Sequence, residues 1–113
     1  SNSGGLDMVV LKNEVWLTSL DPTIGREISK ARPCVILSPD VINKYSDTVT
    51  VGPLTSTLKK YPTRIDCNVN SKKGQIVIDQ IRSIDKSRLI KKISSINEVT
   101  SDKVYKIIVA YFK

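Results

Sequence analysis

The 113-residue chain contains no histidine, so its chemistry must rest on arginine, lysine, carboxylate and hydroxyl groups. This excludes a Ser-His-Asp triad, a Cys-His pair and every zinc site that includes histidine. It also excludes an imidazole acid–base couple, the usual means of proton transfer near neutral pH. An enzyme with this sequence would therefore use a permanent cation, a hydroxyl or a carboxylate.

The two cysteines, Cys34 and Cys67, are predicted to be buried thiols. Each lies in an apolar or alternating segment, and they do not form a C-x-x-C pair. Two cysteines in a chain of this length do not make a disulfide scaffold, and free cysteine often behaves as a small buried residue. The pattern favours a reducing cytosol as the compartment.

Basic residues outnumber acidic ones by 18 to 11, which gives a formal net charge of +7. A surplus of this size attracts a polyanion and makes its binding sensitive to salt. For any one cluster, a merely solvated basic surface is the alternative. The clustered residues are Lys59, Lys60, Arg64, Lys72, Lys73, Arg82, Lys86, Arg88, Lys91 and Lys92.

Short apolar segments separated by turn residues must position these groups. Between the first two segments lies a polar stretch of about ten residues, longer than the usual connection, which indicates a functional or mobile loop. The Gly52-Pro53 pair is expected to break the third strand. The predicted strands are Glu14–Leu20, Arg32–Ser38, Thr48–Leu54, Thr63–Val69, Gln75–Ile84 and a last one near Lys91–Ile96.

Two helices are predicted. Ser38-Pro39-Asp40 can begin a short one that ends near Lys44. The long one is at the C terminus, where Thr100 or Ser101 is the expected cap. Its apolar face follows the i, i+3, i+4, i+7 spacing of Val104, Ile107, Ile108 and Tyr111.

These elements predict an α+β fold, with a strongly bent antiparallel sheet or half-open barrel of about six strands and a C-terminal helix. Residues 1–7 are interpreted as a leader left over from cloning, and residues 8–113 as one domain. No apolar stretch approaches the roughly 18 residues of a membrane span, and no signal peptide is recognised before the domain.

Four segments in a fixed order are more specific together than any one alone. They are Trp-Leu-Thr-Ser-Leu-Asp-Pro-Thr-Ile-Gly-Arg-Glu at 16–27, Arg-Pro-Cys-Val-Ile-Leu-Ser at 32–38, Val-Gly-Pro-Leu-Thr-Ser at 51–56 with Lys-Tyr-Pro at 60–62, and Asp-Gln-Ile-Arg-Ser-Ile-Asp-Lys-Ser-Arg-Leu at 79–89. This set resembles the MazF/PemK toxins, the ribonuclease halves of bacterial toxin–antitoxin pairs. The resemblance covers nearly the whole chain without large insertions.

The resemblance implies an SH3-like barrel, a homodimer, and metal-independent cleavage of single-stranded RNA at a short recognition sequence, with no cofactor. The family's functional arginine falls on Arg32, its hydroxyl on Thr55, and the acidic residue of its first long loop on Glu27. The family commonly has Gly-Ser-Glu-Gln in that loop, where this chain has Gly-Arg-Glu-Ile at 25–28. We expect this departure to affect the preference for an RNA sequence more than the cleavage chemistry.

Cleavage through the RNA 2′-OH needs a base, charge stabilisation at phosphorus and a proton for the leaving 5′-oxygen. It would leave a 2′,3′-cyclic phosphate and a free 5′-OH. Arg32 can clamp two phosphate oxygens, Thr55 can donate to another, and Glu27 could act as the base. The structural alternatives are a solvent-facing strand residue, a turn hydroxyl and a solvated loop charge, respectively.

The RNA-binding set is predicted to be Ser19, Ser56, Lys59, Lys60, Gln80 and Arg82. Tyr45 and Tyr61 are candidates for stacking on bases, whereas Trp16 is predicted to lie in the core or an interface.

The resemblance also implies a cognate antitoxin of the MazE/PemI type, whose acidic, partly disordered segment would cover the RNA groove of this basic protein in the bacterial cytoplasm. Two alternatives stay open. One is a CcdB-like inhibitor of DNA gyrase on the same fold, although the ending Val-Ala-Tyr-Phe-Lys at 109–113 lacks the Trp-Gly-Ile-like terminus of such toxins. The other is a non-catalytic RNA-binding barrel.

Overall fold

The computed structural model describes residues 9–20 and 31–113, which contain seven strands and two α-helices. Short 3₁₀ turns span Ile78–Gln80 and Lys86–Arg88. None of the helices in this part of the chain is long and apolar enough to cross a membrane. The elements in chain order are β1 (Glu14–Thr18), β2 (Arg32–Ile36), α1 (Asp40–Tyr45), β3 (Thr48–Thr55), β4 (Arg64–Val69), β5 (Lys72–Val77), β6 (Arg82–Asp85), β7 (Leu89–Ser95) and α2 (Glu98–Tyr111).

The strands form one antiparallel sheet in the order β4-β5-β3-β2-β1-β7, and β6 pairs with the first half of β3. The predicted α+β class with a bent antiparallel sheet and a C-terminal helix is therefore confirmed, with seven strands in place of about six. The extra strand arises because the segment predicted as one strand, 75–84, is divided by a 3₁₀ turn at Ile78–Gln80.

The division of that segment follows from the partners of β3. β6 pairs with Thr48–Val51 and β5 with Leu54–Thr55, so two strands share one edge of β3. The change of partner occurs at Gly52-Pro53, through which β3 runs without the predicted break. A Cβ at Gly52 would lie 3.1 Å from Leu37 Cδ1, so the small residue permits close packing where the sheet bends.

Two apolar clusters lie on opposite faces of β1 and β2, because successive side chains of a strand alternate between faces. Val15 and Val35 belong to the cluster that Val104 of α2 covers. Trp16 and Cys34 belong to the other, which β3, β6 and the start of β7 complete. The prediction that Trp16 lies in the core is confirmed.

Helix α2 begins at Glu98, with Asn97 as its cap, so the predicted cap at Thr100 or Ser101 is wrong. The Asn97 Oδ1 accepts the Thr100 N–H at 2.8 Å. The Ser101 hydroxyl instead donates to Asn13 Oδ1 at 3.0 Å, tying the helix to the segment before β1. Of the predicted apolar face, Tyr111 at the helix end is 51% exposed. The short helix α1 is confirmed within one residue of its predicted end.

Candidate active site

A cavity of about 490 Å³ lies where the start of β2 and the end of β3 meet the β4–β5 hairpin. It contains two of the three residues predicted to be catalytic, Arg32 and Thr55, together with Ser56 of the predicted RNA-binding set. The described residues that line it include three cations and no carboxylate. They are Arg32, Pro33, Leu54, Thr55, Ser56, Thr57, Val69, Asn70, Lys72, Lys73, Gly74 and Ile93.

The strand register brings Arg32 and Thr55 together. Cys34 pairs with Pro53 in the antiparallel β2–β3 ladder. The paired residues end there, but continuing the same count by two residues puts Arg32 opposite Thr55 at the open end of the ladder, and both residues line the cavity. Residues opposite each other in such a pair have Cβ atoms about 5 Å apart. Because Arg32 is exposed and Thr55 is half-buried, both side chains can reach a ligand in the cavity.

Thr55 is held in place by its own turn and by a close neighbour. Its Oγ1 accepts the Thr57 N–H at 3.1 Å, which leaves the hydroxyl proton able to donate to a ligand. A Cβ at Gly74 would lie 3.0 Å from the Thr55 carbonyl oxygen. Glycine therefore allows β5 to approach the end of β3 closely at this point.

The β4–β5 hairpin brings the other two cations to the cavity. Its two connecting residues, Asn70 and Ser71, have φ values of 51° and 67°, the left-handed conformations of a type I′ turn. The Asn70 Nδ2 donates to the Ile93 carbonyl of β7 at 3.1 Å, fixing the tip of the hairpin. Lys72 and Lys73 follow directly and extend the positive charge from Arg32 along the cavity wall.

The remaining predicted RNA-binding residues lie outside the cavity lining. Lys59 and Lys60 are exposed on the loop that follows Thr55, Gln80 is exposed on the 3₁₀ turn, and Arg82 is exposed on β6. Ser19 is 4% exposed, with its N–H donating to the Arg88 carbonyl at 2.9 Å. Burial at this level does not fit a direct contact with RNA for the Ser19 side chain. Glu27, the predicted base, lies outside the residues that the structure describes.

Both thiols are buried and unpaired with each other, as the sequence predicts. Burial raises the pKa of the Cys34 thiol to about 11, although a hydrogen bond with Thr18 and the charges of Arg32 and Arg82 act in the opposite direction. Burial also raises the pKa of Cys67 to about 11, with the nearby Asp66 carboxylate adding to the rise. Neither thiol is poised as a nucleophile, because the thiolate is the reactive form.

Sequence reasoning missed the hairpin side of the cavity. The segment 70–74, between the predicted strands Thr63–Val69 and Gln75–Ile84, was expected to be a turn, whereas Lys72, Lys73 and Gly74 belong to β5 beside Thr55. Only the pairing of β5 with β3 shows this, and that pairing joins residues 20 apart in sequence. A local signal did exist for Gln75, which shares a strand face with the apolar Val77 and so was a candidate for a buried polar role.

A cavity of this kind suits an anionic group with several oxygens. A guanidinium can donate two parallel hydrogen bonds to such a group, and the neighbouring ammonium groups add charge. A hydroxyl beside the guanidinium supplies a donor of fixed direction. The arrangement fits a phosphodiester within an extended polyanion.

Comparison with known proteins gives a consistent match. Residues 12–112 match the family described as PemK-like, MazF-like toxin of type II toxin–antitoxin system. The chain is 31% identical to endoribonuclease EndoA of Bacillus subtilis over 103 residues, 86% of this chain and 89% of that protein. It is 34% identical to endoribonuclease MazF of Staphylococcus epidermidis over 96 residues, 80% of each.

Solved structures share the fold. MazF from Deinococcus radiodurans superposes with a TM-score of 0.79 at 23% identity, covering 94% of this chain and 98% of that one. An endoribonuclease from a mycobacterial species, solved with its cognate antitoxin, gives a TM-score of 0.78 at 20% identity over 91% and 94% of the two chains.

Proposed function

Because this chain belongs to the PemK-like, MazF-like toxin family of type II toxin–antitoxin systems, we propose that it is a sequence-specific endoribonuclease that cleaves single-stranded RNA without a metal ion. The observation that carries the proposal is the cavity in which Arg32 and Thr55 adjoin two lysines. Two relatives above 30% identity are named endoribonucleases, which supports the same activity.

The attacking group in this mechanism is the substrate's own 2′-OH. It displaces the 5′-oxygen of the next nucleotide at phosphorus, leaving a 2′,3′-cyclic phosphate and a 5′-OH end. Arg32 binds the non-bridging oxygens and stabilises the charge that develops on them. Thr55 donates its hydroxyl to the same phosphate and holds it in line for attack.

The proton transfers fall to groups other than these two: a base takes the 2′-OH proton, and the leaving 5′-oxygen takes a proton from water. A guanidinium is a poor proton donor because it stays protonated throughout the pH range in which proteins work. We propose Glu27 as the base that takes the 2′-OH proton, a role that requires it to come within hydrogen-bond distance of that hydroxyl. Glu27→Gln should then lower kcat without weakening RNA binding.

Cleavage of mRNA at such a site would stop translation and growth, so the toxin would need a partner that silences it. We propose a homodimer in the bacterial cytoplasm, neutralised by a MazE/PemI-like antitoxin. An acidic antitoxin segment would meet the +7 charge of this chain and compete with RNA for the surroundings of Arg32. The solved complexes of related toxins with antitoxins support this arrangement.

The test of the function is incubation of the purified protein with a long mixed-sequence single-stranded RNA in excess EDTA at low salt. Cleavage at a recurring short sequence, with cyclic phosphate and 5′-OH ends, is the expected result. Intact RNA from correctly folded dimer would overturn the proposal. Intact RNA that stays tightly bound would indicate a non-catalytic binding barrel, and inhibition of DNA gyrase with intact RNA would indicate a CcdB-like toxin.

Arg32→Ala should keep the fold and lose at least about 10²-fold in cleavage rate, the scale seen when one charge-stabilising donor is removed. Single-turnover cleavage of a short RNA measures this. Lys103→Ala is the matched control, since it removes one positive charge from the exposed face of α2, outside the cavity. Equal rates for the two variants would remove Arg32 from the reaction.

A further inference from the structure

A buried carboxamide lies beside the end of β3 that carries Thr55, although it does not line the cavity. Gln75 on β5 is 5% exposed. It pairs with Thr55 of β3 on one side and with Asp66 of β4 on the other. Opposite residues of an antiparallel pair share a face, so the three side chains form a row across the strands.

The Gln75 carboxamide holds one residue of the loop that joins β3 to β4. Its Oε1 accepts the Lys59 N–H at 2.9 Å, and its Nε2 donates to the Lys59 carbonyl at 2.9 Å. The same Nε2 donates to Asp66 Oδ1 at 2.8 Å. The carboxamide thus binds the loop as a neighbouring strand would, and both of its N–H donors are used.

This loop, residues 56–63, carries two cavity-lining residues at its start and an exposed ammonium–ring pair further along. Ser56 and Thr57 line the cavity directly after Thr55. Further along, the Lys59 ammonium lies 5.5 Å from the centre of the Tyr61 ring, which is 53% exposed. The Gln75 side chain holds the Lys59 backbone, between Thr57 and Tyr61 in the chain, so it fixes both parts of the loop relative to the sheet.

We propose that Gln75 is a positioning residue for RNA binding, which holds the 56–63 loop beside Thr55 in the arrangement that receives the substrate. The role rests on the proposed endoribonuclease activity. Gln75 does not position the catalytic side chains themselves, because Arg32 is carried by β2 and Thr55 by β3. Loss of the clamp should therefore weaken RNA binding much more than it slows the chemical step.

Loss of the Gln75 carboxamide should shift the population of the 56–63 loop away from the arrangement that binds RNA. Without its carboxamide partner, the loop exchanges among several arrangements, and only one of them receives RNA. A binding-competent fraction of about one tenth raises the apparent dissociation constant about tenfold. The N–H and carbonyl of Lys59, released from Gln75, would also bind water, which favours the open loop.

The experiment uses the full chain with Gln75→Met, which keeps the length and removes all three hydrogen bonds. We expect faster hydrogen exchange at the Lys59 amide, a KM about tenfold higher for a short cleavable RNA, and a kcat within about threefold of the parent. Asn43→Ala is the matched control. Asn43, within α1, is a buried carboxamide, 1% exposed, whose Nδ2 donates to the Ser38 carbonyl at 2.9 Å. That variant should lose stability and leave both the KM and the loop exchange unchanged.

A second variant approaches the clamp from the loop side and leaves the core intact. Lys59→Pro removes the N–H that Gln75 accepts, and Lys59→Ala corrects for the lost charge. We expect Lys59→Pro to raise the KM well beyond Lys59→Ala. Equal KM values for these two variants, or an unchanged Lys59 exchange rate in Gln75→Met, would overturn the proposal.

The positioning role of Gln75 can be tested even if the protein does not cleave RNA. If the parent protein leaves RNA intact, affinity for a 2′-O-methylated RNA replaces KM as the readout. A tenfold loss of affinity in Gln75→Met then supports the positioning role, and unchanged affinity overturns it.

Discussion

At the scale of single residues, Glu14 shows how a nearly buried charge is stabilised in this small protein. Its Oε1 accepts the Leu11 N–H at 2.8 Å and the Trp16 indole N–H at 3.1 Å. The Lys92 ammonium lies 3.0 Å from Oε2. Burial alone would raise the pKa of Glu14, but these three partners together lower it below its ordinary value.

A lowered folded-state pKa means that ionised Glu14 stabilises the fold at neutral pH. The contribution is present above the ordinary pKa of 4.5 and is lost as the pH falls through the lower, folded-state value. Glu14→Gln should therefore be less stable than the parent at pH 7, by about 1 kcal/mol. The difference should shrink on acidification below pH 4.5.

Urea unfolding of both proteins at a series of pH values measures this difference. Stability curves that stay parallel down to the acid limit would contradict the assignment.

At the scale of elements, the close approach of β5 to β3 at Gly74 supports the site. A methyl group there would press on the Thr55 carbonyl, a backbone atom that can move only with its strand. We expect Gly74→Ala to displace the end of β3 and lower kcat by about tenfold, because misplacement of about 1 Å can cost 10²-fold.

Gly52→Ala is the control for this substitution. Its new methyl group meets side-chain atoms of Leu37 and Ile76, outside the described cavity lining. It should change the free energy of unfolding more than kcat. Steady-state cleavage and thermal unfolding of both variants separate the two effects. An unchanged kcat in Gly74→Ala would contradict the prediction, because it would show that β3 can accommodate the methyl group without displacing Thr55.

The elements that the sequence predicted well are those with local signals. The alternation of Ile65, Cys67 and Val69 identified β4, and the Pro39-Asp40 pair identified α1. The start of α2 was missed, because Asn97 competes with later hydroxyls for the same capping role. The single strand predicted over 75–84 failed because its break depends on a change of partner along β3.

Some residues of the candidate site could likewise be predicted from the sequence, and others could not. Arg32 and Thr55 were found through family resemblance, and the register of β2 with β3 explains why they meet. The sequence placed Lys72 and Lys73 in a turn, so their position beside Thr55 could not be predicted. Gln75 interacts with Lys59, 16 residues away, and a contact of that kind has no periodic signature.

At the scale of the whole molecule, the +7 charge predicts RNA binding that weakens steeply with salt. For a single strand, each phosphate contact contributes about 0.7 to the slope of log K against log salt concentration. Lys59→Gln combined with Lys60→Gln should therefore reduce the slope by about 1.4 if both bind phosphates.

Lys103→Gln combined with Lys106→Gln removes the same charge from the exposed side of α2, a helix that belongs neither to the 56–63 loop nor to the cavity lining, and should leave the slope nearly unchanged. Fluorescence anisotropy of a labelled, uncleavable RNA over a range of salt concentrations gives both slopes. Equal slopes in the two double variants would place the RNA elsewhere on the surface.

Side chains that alternate between the two faces of β5 limit the insertions and deletions that this strand can tolerate. Gly74 must face the Thr55 carbonyl, and the next residue, Gln75, must face the 56–63 loop. One residue gained or lost within this strand would exchange its two faces and separate both contacts from their partners. A substitution in β5 away from Gly74 and Gln75 therefore leaves both contacts in place, whereas an insertion or deletion of one residue breaks them together.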